Sequence, residues 1–137
     1  MEKNFKREIS ALDEIFSFVD DFVTESRIDD AVAFSIRLAV EELFTNFVRH
    51  NTGGLDHIAI SLKRDSNQLL IQLKDFQVEP FDMTKVKSVD VDLPLEKRKA
   101  GELGIHLVKS IVDKLSYEYS KRTLCVTAIK NLEEQDV

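Results

Sequence analysis

The sequence has few of the residues from which disulfide-bonded, cysteine-metal and membrane proteins are built. Its 137 residues include one cysteine, no tryptophan, two prolines and four glycines. A single cysteine, Cys125, excludes an internal disulfide and most cysteine metal sites, and its alternating surroundings favour a buried structural thiol. No apolar stretch reaches membrane-spanning length and residues 1–6 contain no apolar signal core. We therefore expect a cytoplasmic protein with no membrane partner.

Clustered positive charge is also lacking. The formal net charge is −6, and no run of lysine or arginine is interleaved with aromatic residues. Because binding to a phosphate backbone depends on clustered positive charge, we do not expect direct binding to nucleic acid. Hydrophobic residues at 43% and charged residues at 32% are typical of a globular protein. Residues 1–137 show no linker or repeat, which predicts one domain.

Hydrophobic periodicity predicts three helices and five strands. Ser10 and Asp13 form a candidate capping pair for the first helix, and Asp29 with Asp30 would begin a second helix that runs to about His50. A third helix would follow a glycine-containing turn at 101–104, and the predicted strands are residues 3–8, 58–62, 69–73, 117–121 and 124–130. This order predicts an α+β fold, a two-layer sandwich with helices on one face of a mixed, largely antiparallel sheet.

The same periodicity predicts which side chains are buried. We expect the third helix to bury one apolar face, made of Leu107, Val108, Ile111, Val112 and Leu115. We also expect phenylalanines in the core, among them Phe16, Phe34, Phe44 and Phe47.

A long segment without strong periodicity separates the central hairpin from the third helix. It runs from Phe76 to Ala100 and holds both prolines. At about 25 residues it is longer than most loops in compact domains, and such loops are usually functional lids or disordered. We interpret residues 76–100 as a candidate lid.

The second helix carries an unusual strip of polar side chains beside its apolar stripe. The apolar residues recur at steps of three and four, at Val32, Ile36, Val40, Leu43 and Phe47. Glu42, Asn46 and His50 follow at steps of four and so line a neighbouring strip of the same helix. The strip is either a solvated helix edge or a site that combines a general base with a neutral oxygen ligand. The second arrangement suits Mg²⁺ and phosphate, because Mg²⁺ takes few protein oxygens and completes its shell with water and phosphate.

Two further positions are compatible with a phosphate ligand. Asp75 ends an apolar strand where the candidate lid begins, either as a turn former or as an acceptor for an exocyclic amine. Gly101 and Gly104 stand at a predicted helix start, where free N–H groups and the helix dipole favour an anion. The three positions together point to phosphate chemistry more strongly than any one of them.

In combination these segments resemble a known family. The chain is similar to the ATP-binding domain shared by gyrase-type topoisomerases, heat-shock chaperones and histidine kinases, the Bergerat fold. Within that group it is most similar to the anti-sigma factor serine/threonine-protein kinase branch. The likeness covers nearly the whole chain and rests on ELFTNFVRH at 42–50, LKD at 73–75 followed by PFD at 80–82, and GELGIHLVKS at 101–110.

The resemblance implies a role for each matching residue. Glu42 would activate the attacking hydroxyl, Asn46 would ligate Mg²⁺, and Asp75 would hold the adenine amine of ATP. The remaining nucleotide-binding residues would be Gly101, Gly104, Ile105 and Thr123, with residues 76–100 as the ATP lid. The implied activity is phosphorylation of an anti-anti-sigma partner or sequestration of a sigma factor, and a homodimer is left open.

Two departures from the family pattern leave other functions open. Gln77 and Glu102 stand where the family usually has glycine, so a side chain would lie near the base and a carboxylate near the phosphates. The alternative function is therefore a nucleotide-turnover-deficient binding module of the same fold, acting by protein-protein contacts. A sensor histidine kinase fragment is disfavoured, because we identify no preceding phosphoacceptor helix in the sequence.

Overall fold

The computed structural model describes residues 1–51, 53–79 and 100–132, and the central part of the candidate lid, 80–99, lies outside the described residues. In the described chain a short 3₁₀ turn at Ile9–Ala11 precedes the first helix. The strands are β1 (Glu2–Lys6), β2 (His57–Asp65), β3 (Gln68–Asp75), β4 (Lys114–Ser120) and β5 (Thr123–Asn131), and the helices are α1 (Leu12–Glu25), α2 (Asp30–His50) and α3 (Ala100–Ile111). None of these helices combines the length and apolarity needed to cross a membrane.

The strands form one five-stranded sheet in the order β1-β2-β3-β5-β4. Every neighbouring pair in it is antiparallel. The core lies between one face of this sheet and the helices, since the buried side chains alternate along β3 and β5. The predicted α+β, two-layer architecture is confirmed.

α2 is the helix on which the core is built. Four residues of its predicted apolar stripe are buried, with Ile36, Val40, Leu43 and Phe47 each at most 1% exposed, whereas Val32 in the first turn is only partly buried. Complete burial of one such side chain contributes about 1.5–3 kcal/mol relative to exposure. The predicted start is also confirmed, because the side chain of Asp29 accepts a hydrogen bond from the N–H of Val32 at 2.9 Å.

Two expectations about the first two helices are wrong. Ser10 does not cap α1, since it lies in the 3₁₀ turn and its hydroxyl donates to Glu8 Oε2 at 3.2 Å. Phe34 is not a core residue, since 69% of it is exposed. It precedes Ile36 by two residues and therefore lies about 200° around α2 from the buried stripe.

The third helix begins earlier and ends earlier than predicted. Gly101 and Gly104 lie inside α3, not in a turn before it. Leu115 belongs to β4 and pairs with Ala128 of β5, so sheet pairing overrides the helical pattern there. Of the expected helical face Val108 is fully buried, whereas Leu107 is 38% exposed.

Candidate functional site

The three residues of the polar strip of α2 differ in how far they are buried. Asn46 is only 6% exposed, Glu42 is half-buried, and His50 at the helix end is exposed. α2 packs against both β3 and α3, so this part of the strip lies among other elements of the fold. The solvated-edge interpretation therefore applies to His50 and not to Asn46.

Glu42 has an acid strength that differs from that of an ordinary surface glutamate. Burial raises the pKa of Glu42, the neighbouring carboxylate of Glu41 raises it further, and the positive charge of Arg49 acts in the opposite direction. A carboxylate with a raised pKa binds a proton more strongly than a solvated one. Glu42 is therefore suited to accept a proton from a bound hydroxyl.

Asp75 lies at the end of β3, on the face of the sheet that carries the core. It is 0% exposed, and its Cα partners in the neighbouring strands are Ile58 and Leu124, which are also buried. A carboxylate without access to water has to be paired or hydrogen-bonded. The turn-former interpretation does not explain this burial.

The partners of Asp75 are Arg7 and Asn51, and we call these three residues the Asp75 cluster. Nη1 of Arg7 donates to Oδ2 of Asp75 at 2.9 Å, and Nη2 donates to Oδ1. Nδ2 of Asn51 donates to Oδ2 at 2.6 Å. Arg7 is further held through Nε, which donates to the carbonyl of Leu55 at 2.8 Å, and burial lowers its pKa. Both carboxylate oxygens of Asp75 therefore already accept bonds from the protein.

The backbone after Asp75 is held by hydrogen bonds to two other segments of the chain. The N–H of Gly54 donates to the carbonyl of Gln77 at 2.8 Å, and the N–H of Val78 donates to the carbonyl of Arg122 at 2.9 Å. Gln77 has a φ of 59°, in the left-handed region that glycine adopts most readily, and its side chain is exposed. The backbone thus keeps a glycine-like conformation at the position where the sequence departs from the family pattern.

Gly54 lies against the Asp75 cluster. Its φ is 94°, and a Cβ at this position would overlap the guanidinium of Arg7. Glycine is therefore required here for both its backbone angle and the space it leaves to Arg7.

The other predicted site residues divide into two groups. Gly101, Gly104 and Ile105 lie in the first turns of α3, which packs against α2. Thr123 begins β5 and pairs with Ser120. By strand alternation Leu124, and not Thr123, shares the face of Asp75, so the structure does not bring Thr123 to the Asp75 cluster.

Sequence reasoning did not find Arg7 or Asn51. Arg7 is 68 residues from Asp75 along the chain and Asn51 is 24 residues from it. One feature of the sequence could have pointed to Asn51. It directly follows α2 as its C-cap, and a short polar side chain at a helix end can reach a nearby strand end. Arg7 has no comparable local signal.

The donor set can be tested against a magnesium–nucleotide ligand. Asn46 offers a buried amide one turn from a carboxylate, which suits Mg²⁺ bound to phosphate. Beside Asp75, Oδ1 of Asn51 is buried and accepts no hydrogen bond from the residues that the structure describes, so one donor is missing there. The amide of Asn46 and the open acceptor of Asn51 each suit one part of a nucleotide, but Arg7 holds the carboxylate expected to contact the base.

Comparison with solved structures identifies the fold. The chain is similar to the structure of the RsbU and RsbW domains of Rv1364c from Mycobacterium tuberculosis, with a TM-score of 0.65, 14% identity, and coverage of 96% of this chain and 32% of that one. It is also similar to the histidine kinase domain of the Erythrobacter litoralis EL346 blue-light activated histidine kinase. There the TM-score is 0.54 at 15% identity, over 93% of this chain and 62% of that one.

Comparison of sequences supplies the family. A curated relative, the sensor histidine kinase YxdK of Bacillus subtilis (strain 168), is 24% identical over 85% of this chain. The chain spans 42% of that relative's length. The family model of the histidine kinase-like ATPase domain matches residues 5–130, which is most of the chain, and an ATPase domain implies nucleotide binding. The chain therefore belongs to the histidine kinase-like ATPase domain family.

Proposed function

We propose that this chain is an anti-sigma-type regulatory protein serine/threonine kinase that binds Mg-ATP. It would phosphorylate an anti-anti-sigma partner or sequester a sigma factor. The observation that carries the proposal is the placement of Glu42, whose pKa is raised by burial, one helical turn from the buried Asn46. The likeness in fold to the structure of the RsbU and RsbW domains, over 96% of this chain, supports it.

The residues of α2 would divide the work of phosphoryl transfer. Asn46 would hold Mg²⁺ through its amide oxygen, and Glu42 would take the proton from a serine or threonine hydroxyl of the partner. Mg-ATP would supply the transferable phosphoryl group and the metal charge that neutralises it. Because phosphoryl transfer depends mainly on positioning and charge neutralisation, a rigid helix that presents both side chains is a suitable support.

The test of this function is a titration with ATP in the presence and absence of Mg²⁺. Asn46→Ala should weaken Mg²⁺-dependent ATP binding by at least about tenfold, the usual cost of a lost bond to a charged group. Thr45→Ala is the matched control, because it truncates the adjacent side chain, whose hydroxyl donates to the Glu42 carbonyl at 3.2 Å. Unchanged Mg²⁺-dependent affinity in Asn46→Ala would exclude Asn46 as a ligand.

A second function, the nucleotide-turnover-deficient binding module, is favoured by one specific observation. Arg7 occupies the carboxylate of Asp75, which the kinase proposal assigns to the adenine amine. A module of this kind would act through protein-protein contacts alone. Absence of Mg-ATP binding by the wild-type chain at millimolar nucleotide would favour the module over the kinase.

A further inference from the structure

We propose that Arg7 is a specificity-determining residue of the nucleotide site. By bonding to both oxygens of Asp75, it withholds this carboxylate from the exocyclic 6-amino group of adenine. The site therefore prefers a 6-amino purine nucleotide over a 6-oxo purine nucleotide less strongly than it would with a free Asp75. This inference rests on the proposed function, because it assumes that a nucleotide places its base beside Asp75.

The first argument is the geometry of Arg7. Its Nη1 and Nη2 donate to Oδ2 and Oδ1 of Asp75, and its Nε donates to the carbonyl of Leu55 at 2.8 Å. Only 15% of the Arg7 side chain is exposed, and the Asp75 side chain is fully buried. Three bonds from one planar guanidinium fix its orientation more firmly than one bond from a lysine would.

The second argument is the competition that an adenine base would face. Its 6-amino group is a neutral donor, whereas the guanidinium of Arg7 carries a positive charge and is attracted to the carboxylate by a Coulomb energy that the amine lacks. Oδ2 of Asp75 also accepts a bond from Asn51 at 2.6 Å, so it carries two donors before any ligand arrives. An amine has to compete with the bonds that Arg7 and Asn51 already make to this carboxylate, whereas a 6-oxo group is itself an acceptor and gains no bond from a carboxylate.

The third argument is the contrast with Lys6, the adjacent cation. Lys6 is exposed and ends β1, and strand alternation puts its side chain on the face opposite to that of Phe5 and Arg7. It has the same charge as Arg7 and a position one residue away, but it does not take part in the Asp75 cluster. Lys6→Ala is therefore the matched control for the loss of one positive charge near the site.

The experiment compares the binding of Mg-ATP and Mg-ITP, which differ in the 6-amino and 6-oxo groups of the base. Each nucleotide is titrated into wild type, Arg7→Ala, Arg7→Lys and Lys6→Ala. The ratio of ATP affinity to ITP affinity in wild type is the reference for each variant. In Arg7→Ala the ATP/ITP affinity ratio should rise about ten- to hundredfold, the range of one bond to a charged group, because the freed carboxylate can accept a bond from the 6-amino group and repels the 6-oxo group. Lys6→Ala should leave the ATP/ITP ratio at the wild-type value.

Arg7→Lys covers the case in which Arg7→Ala does not fold. A lysine keeps a cation near Asp75, but its ammonium cannot bond to both oxygens in the planar, bidentate manner of arginine. Arg7→Lys should therefore raise the ATP/ITP affinity ratio by less than Arg7→Ala does.

Three results would overturn the inference. A gain of equal size for ATP and ITP would mean that Arg7 acts on the whole site, and no gain for either would mean that Arg7 only balances the charge of Asp75. Both of these results leave the proposed function intact, since the nucleotides still bind. Failure of every variant to bind either nucleotide would overturn the proposed function together with the inference.

Discussion

At the scale of single residues, Gln77 shows that a departure in sequence need not be a departure in backbone. Its φ of 59° lies in the left-handed region, where an L-residue costs roughly 1–2 kcal/mol. Two backbone hydrogen bonds hold Gln77 in this conformation. The N–H of Gly54 donates to the carbonyl of Gln77, and the N–H of Val78 donates to the carbonyl of Arg122 just before β5. The strain is therefore local and is maintained by the surrounding hydrogen bonds.

Gln77→Gly should consequently stabilise the fold. We expect the free energy of unfolding to rise by up to about 1 kcal/mol, because relief of the left-handed strain exceeds the extra chain entropy of glycine. Gln77→Ala is the control, since it removes the same exposed side chain but keeps the Cβ that causes the strain. Urea unfolding of the three proteins measures the difference, and equal stability of the glycine and alanine variants would contradict it.

The residue scale also separates what the sequence could predict from what it could not. Asn46 could be identified because it lies four residues after Glu42 on a strip beside the apolar stripe, and Asp75 because it ends an apolar strand where the candidate lid begins. The partner set of Asp75 depends on the register of β1 against β2 and of β2 against β3. That register joins positions 7 and 75 only after folding, so no local pattern could predict the ion pair.

At the scale of secondary structure, α2 contributes one strip of residues to the core and a neighbouring strip to the proposed nucleotide site. The 3.6-residue period separates the stripe of Ile36, Val40 and Phe47 from the strip of Glu42 and Asn46. This separation was predictable because it depends only on spacing within one helix. The end of α3 was not, because Leu115 joins a strand whose partner is 13 residues further along the chain.

The raised pKa of Glu42 predicts how phosphoryl transfer depends on pH. A general base works when deprotonated, so the rate should rise with pH through the Glu42 pKa, above the usual range of glutamate. Glu41→Gln removes a contribution that raises this pKa and should move the rise to lower pH. Arg49→Gln removes a contribution that lowers it and should move the rise to higher pH.

The measurement is the rate of label transfer from Mg-ATP to an anti-anti-sigma partner across pH. Glu42→Gln is the control, and it should lose about 10²- to 10⁴-fold in rate. A shift in the same direction for Glu41→Gln and Arg49→Gln would rule out Glu42 as the group that titrates.

At the scale of the whole molecule, the sheet order brings distant parts of the chain together at the Asp75 cluster. β1 is an edge strand beside β2, and β3 lies between β2 and β5. The residue after β1 therefore comes close to the end of β3. In the proposed kinase α2 would supply Glu42 and Asn46 and β3 would supply Asp75, so that site would depend on both layers of the fold.

Because the site requires the folded chain, Mg-ATP should stabilise the whole fold. A ligand that binds only the native state at about 100 times its Kd adds about 2.7 kcal/mol, which corresponds to an increase in Tm of about 10 °C for a domain of this size. Thermal unfolding with Mg-ATP, with ATP and EDTA, and with no nucleotide measures the effect. Asn46→Ala should show little of the Mg²⁺-dependent increase, and an identical increase in that variant would contradict the assigned ligand.

Gly54 makes the evolution of this site depend on the order of substitutions. Any side chain at position 54 would overlap the guanidinium of Arg7, and it would also have to adopt a φ of 94°. A smaller residue at position 7 removes the overlap with the guanidinium but leaves the positive φ and the close approach of Val78 Cγ1 at 3.1 Å. A lineage that lost Arg7 would free Asp75 and remove one barrier to a side chain at position 54, and a later substitution there would make the return of arginine difficult.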